Sequence, residues 1–443
     1  MSATLDDVSK MYLKDDMADV NDLMTFLPKF VNQLTISFED LFDSYGDIIS
    51  NIERRNLTVD SIILTSSFAY NGMFLGHVYK CPIILFSPIG YASHWTQYLG
   101  NYDNPSHQVE TSMSFVEPMT FMQRVINSMV YYYKNQYPWD ERFVYPVFER
   151  KGGLSYNDVK SVYSNISLIL QCSHFVTHNA QALLPNVVDI GGIHCRPGKA
   201  LSDDWNAFMN SHPEGVVYVS FGSALRPSEM SEKRRQAFLD AFAKLRFQVI
   251  WKWDGDDIID LPSNVKLTKW APQQDLLAHP NLKVMVTHGG LLSLQEALYH
   301  KTPLIGIPFG NDQIINILRA KNRGYAIMLD WSNLTSNHLY EAINRAISDR
   351  GIQNAITKMN ELFLDQSESP VDRAVWWVDY IMRHDGASFL RPKSLELSWY
   401  QYSLIDVAIF IALLLFVIIV ISINCIYKLK KKLFGPATKT KVQ

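Results

Sequence analysis

Residues 270–313 read WAPQQDLLAHPNLKVMVTHGGLLSLQEALYHKTPLIGIPFGNDQ. Leu282–Thr287 within it reads as a strand. The pair Gly289 and Gly290 follows, and Leu291–His300 then spaces its apolar residues as a helix does. Pro303–Pro308 reads as the next buried strand and Gln313–Asn322 as the next helix. Such alternation means βαβ units and a parallel sheet. The same rhythm extends both ways. Val216–Phe221, Phe247–Trp251 and Val265–Trp270 are strand-like, and Met230–Leu245 between them is amphipathic, with Phe238, Leu239, Phe242 and Leu245 on one side. Downstream come the strand Tyr325–Leu329 and the helix Asn337–Ser348. The fold class is α/β with a doubly wound sheet, which binds ligands at the carboxyl ends of its strands.

Further out the pattern loosens. Ser61–Leu64, Pro82–Phe86, Leu168–Val176 and Val187–Ile190 are strand candidates, with a helix over Asn71–Lys80. Tyr91–Phe148 is rich in aromatics and methionine, which suits core packing and also an apolar ligand pocket. Cys195–Ser202 (CRPGKALS) has the composition of a linker.

The whole chain has 443 residues, 47% of them apolar, which supports large cores and excludes a disordered chain. The formal charge of −3 carries no signal for nucleic-acid binding. Six lysines and no acid follow Asp406, so the tail carries +6 and residues 1–406 carry −9. Val407–Tyr427 holds no charge over 21 residues. As a helix it is about 31 Å long, the thickness of a bilayer's hydrocarbon core. Trp399, Tyr400 and Tyr402 precede it and Tyr427 closes it, as in an aromatic belt. The lysines place the tail in the cytoplasm and residues 1–406 across the membrane. Lys439 and Lys441 look like a dilysine retrieval signal of the endoplasmic reticulum. The start, MSATLDDVSKMYLKDD, lacks a leader's apolar core. A luminal body and a tail-anchored chain with a cytosolic body therefore both stand as expectations. Asn56, Asn165 and Asn333 begin Asn-X-Ser/Thr triplets. Four cysteines, Cys81, Cys172, Cys195 and Cys425, make neither a disulfide framework nor a zinc site.

Four places in the second half suit a phosphorylated ligand. Phe221-Gly222-Ser223 ends a strand, where glycine lets backbone N–H groups approach an anion. His288-Gly289-Gly290 opens a helix, so a diphosphate could rest on its N-terminus beside an imidazole. Ser293 and Glu296 are three apart and share a helix face. Asp312-Gln313 sets a carboxylate beside an amide, a pairing that suits sugar hydroxyls.

Taken whole, the 44 residues from Trp270 to Gln313 closely resemble the signature of the UDP-glycosyltransferases, and the resemblance extends from about Asp60 to the lysine tail. The membrane-anchored animal branch fits best. Arg383-His-Asp-Gly-Ala387 and Leu397-Ser-Trp-Tyr-Gln-Tyr402 are similar to its insect members. The resemblance implies two facing Rossmann-like domains of the GT-B type, the N-terminal one incomplete here, and one C-terminal transmembrane helix. The expected division is an acceptor-binding domain over 1–197, a linker over 198–215, a UDP-sugar-binding domain over 216–386, a juxtamembrane segment over 387–406, the span over 407–427 and a basic tail over 428–443.

It also implies roles. Trp270 would stack on uracil and Gln273 would bond the base or ribose. Glu296 would accept both ribose hydroxyls. Ser223, His288, Gly290 and Ser293 would hold the diphosphate, and Asp312 and Gln313 the sugar. No metal and no cofactor are implied, since dipoles, His288 and hydroxyls can offset the diphosphate charge and the UDP-sugar is a co-substrate. The implied reaction moves a hexose, glucose before glucuronic acid, to a hydroxyl of a small lipophilic acceptor with inversion, as in detoxification at the endoplasmic-reticulum membrane. The oligomeric state stays open, homo-oligomers included.

The family's base is a histidine near the N-terminus, oriented by a carboxylate. Neither stands out here. Thr65-Ser66-Ser67 occupies the approximate carboxylate position, and His77, His94, His107, His174 and His178 read as structural. The chain is expected to start after the first strands of its N-terminal domain, about 60–90 residues short. Catalytic residues therefore stay unassigned. A catalytically dead protein that binds a UDP-sugar or a small ligand is the alternative. An NAD enzyme is disfavoured, because no Gly-X-Gly-X-X-Gly follows a strand.

Overall fold

The computed structural model describes residues 40, 42–66, 69–91, 93–136, 145–163, 165–223 and 225–434. The readings of the chain start, of Ser67 and of the Lys439–Gln443 signal lie outside the described residues. Two units separate, Met1–Leu390 and Arg391–Gln443.

The first unit holds two parallel sheets. One is built of β1 (Ile62–Thr65), β2 (Ile83–Ser87), β3 (Ile166–Gln171) and β4 (Val187–Asp189), in that order. Helix α1 (Ala69–Tyr79) joins β1 to β2, and α2 (Phe121–Gln136) lies in the long connection to β3. β2 and β3 carry apolar residues on both sides because both faces are covered, whereas the edge strand β1 leaves Ile63 57% exposed. Ile83, Leu85 and Ile169 pack with Met73 of α1, Trp95 and Phe148. Ile84, Leu168 and Leu170 point the other way.

The second sheet has the order β10-β9-β8-β5-β6-β7. Its strands are β5 (Val216–Ser220), β6 (Gln248–Lys252), β7 (Val265–Thr268), β8 (Leu282–Thr287), β9 (Leu304–Gly306) and β10 (Ala326–Met328). Its helices are α3 (Glu232–Ala243), α4 (Gln273–Leu277), α5 (Leu291–Tyr299), α6 (Asp312–Asn322), α7 (Ser336–Ser348) and α8 (Arg350–Leu364). Period-two alternation sorts the core into two layers. Val217, Val219, Trp251, Val284 and Val286 meet Phe238 and Phe242 of α3 and Ile343 of α7. Val216, Tyr218, Ile250 and Met285 meet Leu294 and Leu298 of α5, Ile317 of α6 and Ile356 of α8. This strand order reverses between β5 and β8, and the crevice at their carboxyl ends is the ligand-binding position of doubly wound sheets.

Three sequence expectations change in detail. β7 stops at Thr268, so Trp270 stands beyond the sheet rather than in it. α3 begins at Glu232, capped by Ser231, whose hydroxyl accepts from Arg234 N. β3 ends at Gln171, and the residues after it turn instead of extending. Helix α9 (Pro370–Arg383) crosses to the first sheet, where Ala374 and Ile381 cover Ile84, Leu168 and Leu170.

In the second unit α10 (Ile405–Phe434) contains a stretch of 27 residues, Ile405–Lys431, long and apolar enough to cross a membrane. The four cysteines are free thiols.

Candidate functional site

The polar residues flagged in the sequence converge on the carboxyl end of the second sheet. β5 runs out into Phe221-Gly222-Ser223 and β8 into His288-Gly289-Gly290, side by side at the point where the strand order reverses. Gly222 has φ +75°, and a Cβ there would lie 2.7 Å from His288 Cε1. A Cβ on Gly290 would lie 2.7 Å from His288 Nε2. The imidazole is therefore held against two glycines, and both positions require the missing side chain. Burial, with Lys252 nearby, pushes the His288 pKa down to about 4, so the ring is neutral at pH 7. Neutral imidazole carries one N–H and one lone pair. Ser223 is exposed at the rim of the same turn.

Beneath the turn lies a connected polar cluster. Gln273 opens α4, Ser293 and Glu296 lie on α5, and Tyr218 rises from β5. The Tyr218 hydroxyl donates to Gln273 Oε1 over 3.2 Å. Gln273 Nε2 donates to Ser293 Oγ over 3.0 Å and also to Glu296 Oε2. The expected shared face of Ser293 and Glu296 is present, with Gln273 bridging it. Burial raises the Glu296 pKa, and the Gln273 amide opposes that rise. Trp270, just beyond β7, is 73% exposed, a broad apolar surface at the lip of the crevice.

Asp312 and Gln313 begin α6 beyond β9. Asp312 is 7% exposed, and burial lifts its pKa to about 6. Asn316, one turn on, donates to Asp312 Oδ2 at 2.8 Å and to the Gly289 carbonyl at 3.1 Å. It therefore ties the glycine turn to the acid. Gln313 Oε1 accepts from Phe309 N over 3.0 Å, which fixes its amide plane.

Besides Tyr218, sequence reasoning missed three participants. Lys252 ends β6, donates to the Gly222 carbonyl at 2.8 Å and lies 4.7 Å from the centre of the Trp270 ring. Burial lowers its pKa. Its place at the carboxyl end of a strand, the edge that binds ligands, was a usable signal. His194 stands with Nε2 4.0 Å from Glu296 Oε1 and 3.0 Å from the Leu292 carbonyl. It comes from before the linker, and nothing local marked it. Asn316 lies one helical turn past Asp312, a spacing that could have flagged it.

On the first sheet, Thr65 ends β1 exposed, and no hydrogen bond among the described residues links it to this cluster. His94, His174 and His178 are held in packing. Burial pushes His94 and His174 to about 4, and His178 lies against Gly90 with Nδ1 3.1 Å from Thr177 Oγ1. Among the described residues no group of three or more His, Cys, Asp or Glu could hold a metal.

Gln295 of α5 joins the two halves. Its Nε2 donates to the Cys172 carbonyl at 2.7 Å, and its Oε1 accepts from Gly192 N at 3.1 Å. Arg196 meets Asp275 of α4 through two bonds of 2.6 and 3.1 Å.

Comparison with known proteins places this geometry in a family. Residues 11–440 match the family model described as "UDP-glucoronosyl and UDP-glucosyl transferase". UDP-glucuronosyltransferase 2B30 of Macaca fascicularis is 34% identical over 420 residues, covering 91% of this chain and 78% of that protein. UDP-glucosyltransferase 2 of Dactylopius coccus is 34% identical over 325 residues, covering 71% of this chain and 61% of that protein. Among solved structures, the glycotransferase of kitacinnamycin aligns with TM-score 0.55 at 20% identity, covering 78% of this chain and 83% of that one. The calicheamicin glycosyltransferase CalG4 aligns with TM-score 0.51 at 18% identity, covering 83% and 82%. These likenesses show the GT-B fold. With the family model spanning nearly its whole length, the chain belongs to the UDP-glucuronosyl and UDP-glucosyl transferase family, and it is a glycosyltransferase that uses a UDP-sugar.

Proposed function

We propose that the chain transfers a hexose, glucose first and glucuronic acid second, from its UDP-sugar to a hydroxyl of a small lipophilic acceptor, with inversion at the anomeric carbon. The observation that carries this reading is the joined cluster of Gln273, Ser293 and Glu296 below an exposed Trp270 at the strand-order reversal. An indole face suits uracil, and a carboxylate already aligned by an amide suits two ribose hydroxyls.

The diphosphate lies against Ser223, His288, Gly290 and Ser293. Neutral His288 donates there and is not the base. Lys252 supplies a positive charge, and the start of α5 adds its dipole. Together they stabilise the charge that gathers on UDP as it leaves. Asp312 and Gln313 take the sugar hydroxyls. In the displacement the acceptor oxygen bonds to the anomeric carbon, the bond to the diphosphate oxygen breaks, and UDP leaves with that electron pair. The acceptor proton passes to a base outside the donor cluster. The aromatic stretch from Tyr91 onward supplies apolar surface for the acceptor. Nothing in the relatives favours a binding protein without turnover. The reading needs no metal or other cofactor, because the charges above come from protein groups.

The test is release of UDP from UDP-glucose and UDP-glucuronic acid with a panel of phenols, beside Asp312→Ala. Turnover that the substitution removes is expected. Equal turnover in both proteins contradicts the assignment.

We place the body in the lumen of the endoplasmic reticulum, anchored once by α10. Asn56, Asn165 and Asn333 are all exposed, as acceptors of N-glycans must be. Glycosidase treatment of the expressed chain is expected to raise its gel mobility, and an unchanged band argues for a cytosolic body.

A further inference from the structure

Helix α6 carries two sets of polar groups on one face. Asp312, Asn316, Arg319 and Arg323, the last just past its end, recur at helical spacing. The first belongs to the donor site. The third and fourth reach the other half of the molecule. Arg319 Nη2 donates to Glu117 Oε1 over 3.0 Å, with the two side chains 5% and 15% exposed. Glu117 Oε2 accepts from Asn179 Nδ2 over 2.7 Å. Arg323 donates to Asn179 Oδ1 at 3.1 Å and to the His178 carbonyl at 2.8 Å. Between these sets, Ile315 is 1% exposed and packs on Val109 and Met119.

The segment that carries Glu117 is itself anchored. Asn127 of α2 donates to the Pro105 and Gln108 carbonyls, each over 2.8 Å, and accepts from Glu110 N over 2.9 Å. One carboxylate thus joins the segment at 105–119 to the helix that begins with Asp312 and Gln313. A helix is stiff over this length, so a shift at Arg319 must appear at Asp312. A nearly buried ion pair adds little net stability, since desolvation offsets attraction. What it does fix is geometry, because only one placement pairs both partners.

We propose that Glu117 is a positioning residue for the donor sugar. Through Arg319 it sets the pose of α6, so that Asp312 and Gln313 meet the hexose only when the 105–119 segment is seated. This rests on the reading of Asp312 and Gln313 as the sugar-binding pair. The consequence is coupling: a ligand that orders the aromatic first half also tightens the grip on the hexose, while the uridine diphosphate, held by α4, α5 and the glycine turns, feels α6 only through the Asn316 bond to the Gly289 carbonyl and changes less.

The test is calorimetric binding of UDP and of UDP-glucose to the detergent-solubilised full chain, as wild type, Glu117→Gln, Asn179→Ala and Asp312→Ala. Glu117→Gln keeps the shape and removes the charge. It is expected to weaken UDP-glucose about fivefold while UDP stays within about twofold, the size of effect usual for coupled polar networks. Asn179→Ala should move UDP-glucose in the same direction by less, and it decides the matter if Glu117→Gln does not fold. General loosening would weaken both ligands together, and that result overturns the proposal. So does wild-type affinity for UDP-glucose in both variants while Asp312→Ala is impaired. Unchanged UDP-glucose binding in Asp312→Ala would overturn the sugar-site reading, and this proposal with it.

Discussion

Asp312 shows how much a single side chain decides. Its pKa of about 6 is set by burial, so the folded chain binds a proton there that the unfolded chain releases at lower pH. Between about pH 4 and pH 6 the native state holds more protons, and stability falls as pH rises through that window. Asp312→Asn is therefore expected to raise stability at pH 7.5 by about 2 kcal/mol, read as a higher denaturation midpoint. The same variant is expected to lose at least about tenfold in turnover. A variant less stable than wild type at pH 7.5 contradicts the electrostatic reading. Turnover in the wild type should fall below about pH 6, as the carboxylate takes up its proton. His288, with its pKa pushed down to about 4, is still neutral near pH 6 and takes up its proton only at the lower end of the acid limb. At this scale the sequence was partly legible. Ser293 and Glu296 could be paired from spacing because a helix fixes which neighbours share a face. The bridge between them by Gln273, and the place of Lys252 over Trp270, depend on which strands stand side by side. No local spacing encodes that.

Among elements, the strands of the second sheet were legible and their ends were not. Strands buried on both faces are largely apolar, so Val216–Ser220 and, apart from Lys283, Leu282–Thr287 declare themselves. The end of β7 is hidden because Lys269 and Trp270 fit either a strand or a loop. Helices α8 and α9 went unseen although both are amphipathic, with Ile352, Ile356 and Phe363 buried in one and Ala374 and Ile381 in the other. Their partners are far away in sequence, and α9 covers strands more than 180 residues earlier. The turn after β5 supplies the element-scale prediction. Gly222→Ala places a Cβ against His288 at a φ of +75°, which favours glycine. The expected cost is about 1–3 kcal/mol, with a loss of UDP affinity as the imidazole is displaced. Thermal denaturation and UDP titration check both parts, and an unaltered affinity would argue that His288 does not face the diphosphate.

For the whole molecule, two parallel sheets meet along a seam in which Gln295, fully buried, answers one donor and one acceptor of the first half. Gln295→Leu keeps the volume but leaves the Cys172 carbonyl and the Gly192 N–H without that partner. A loss of about 2 kcal/mol is expected. A chain as stable as wild type in urea would show that the halves do not depend on this contact. The seam was invisible in the sequence, where Gln295 looks like any polar residue on a helix. The long apolar helix α10 was the opposite case, since 21 uncharged residues need no tertiary context to be read as long enough to cross a membrane.

The most direct measurement is calorimetric titration of UDP into folded wild-type protein and into Trp270→Ala. Trp270 is 73% exposed, so its removal leaves the fold intact while removing the surface proposed to stack on uracil. Wild type is expected to bind UDP, and the variant to lose about 1–3 kcal/mol of affinity, the worth of one base stacked on an aromatic ring. No heat with the wild type, or equal affinity in the two proteins, would contradict the donor site described above.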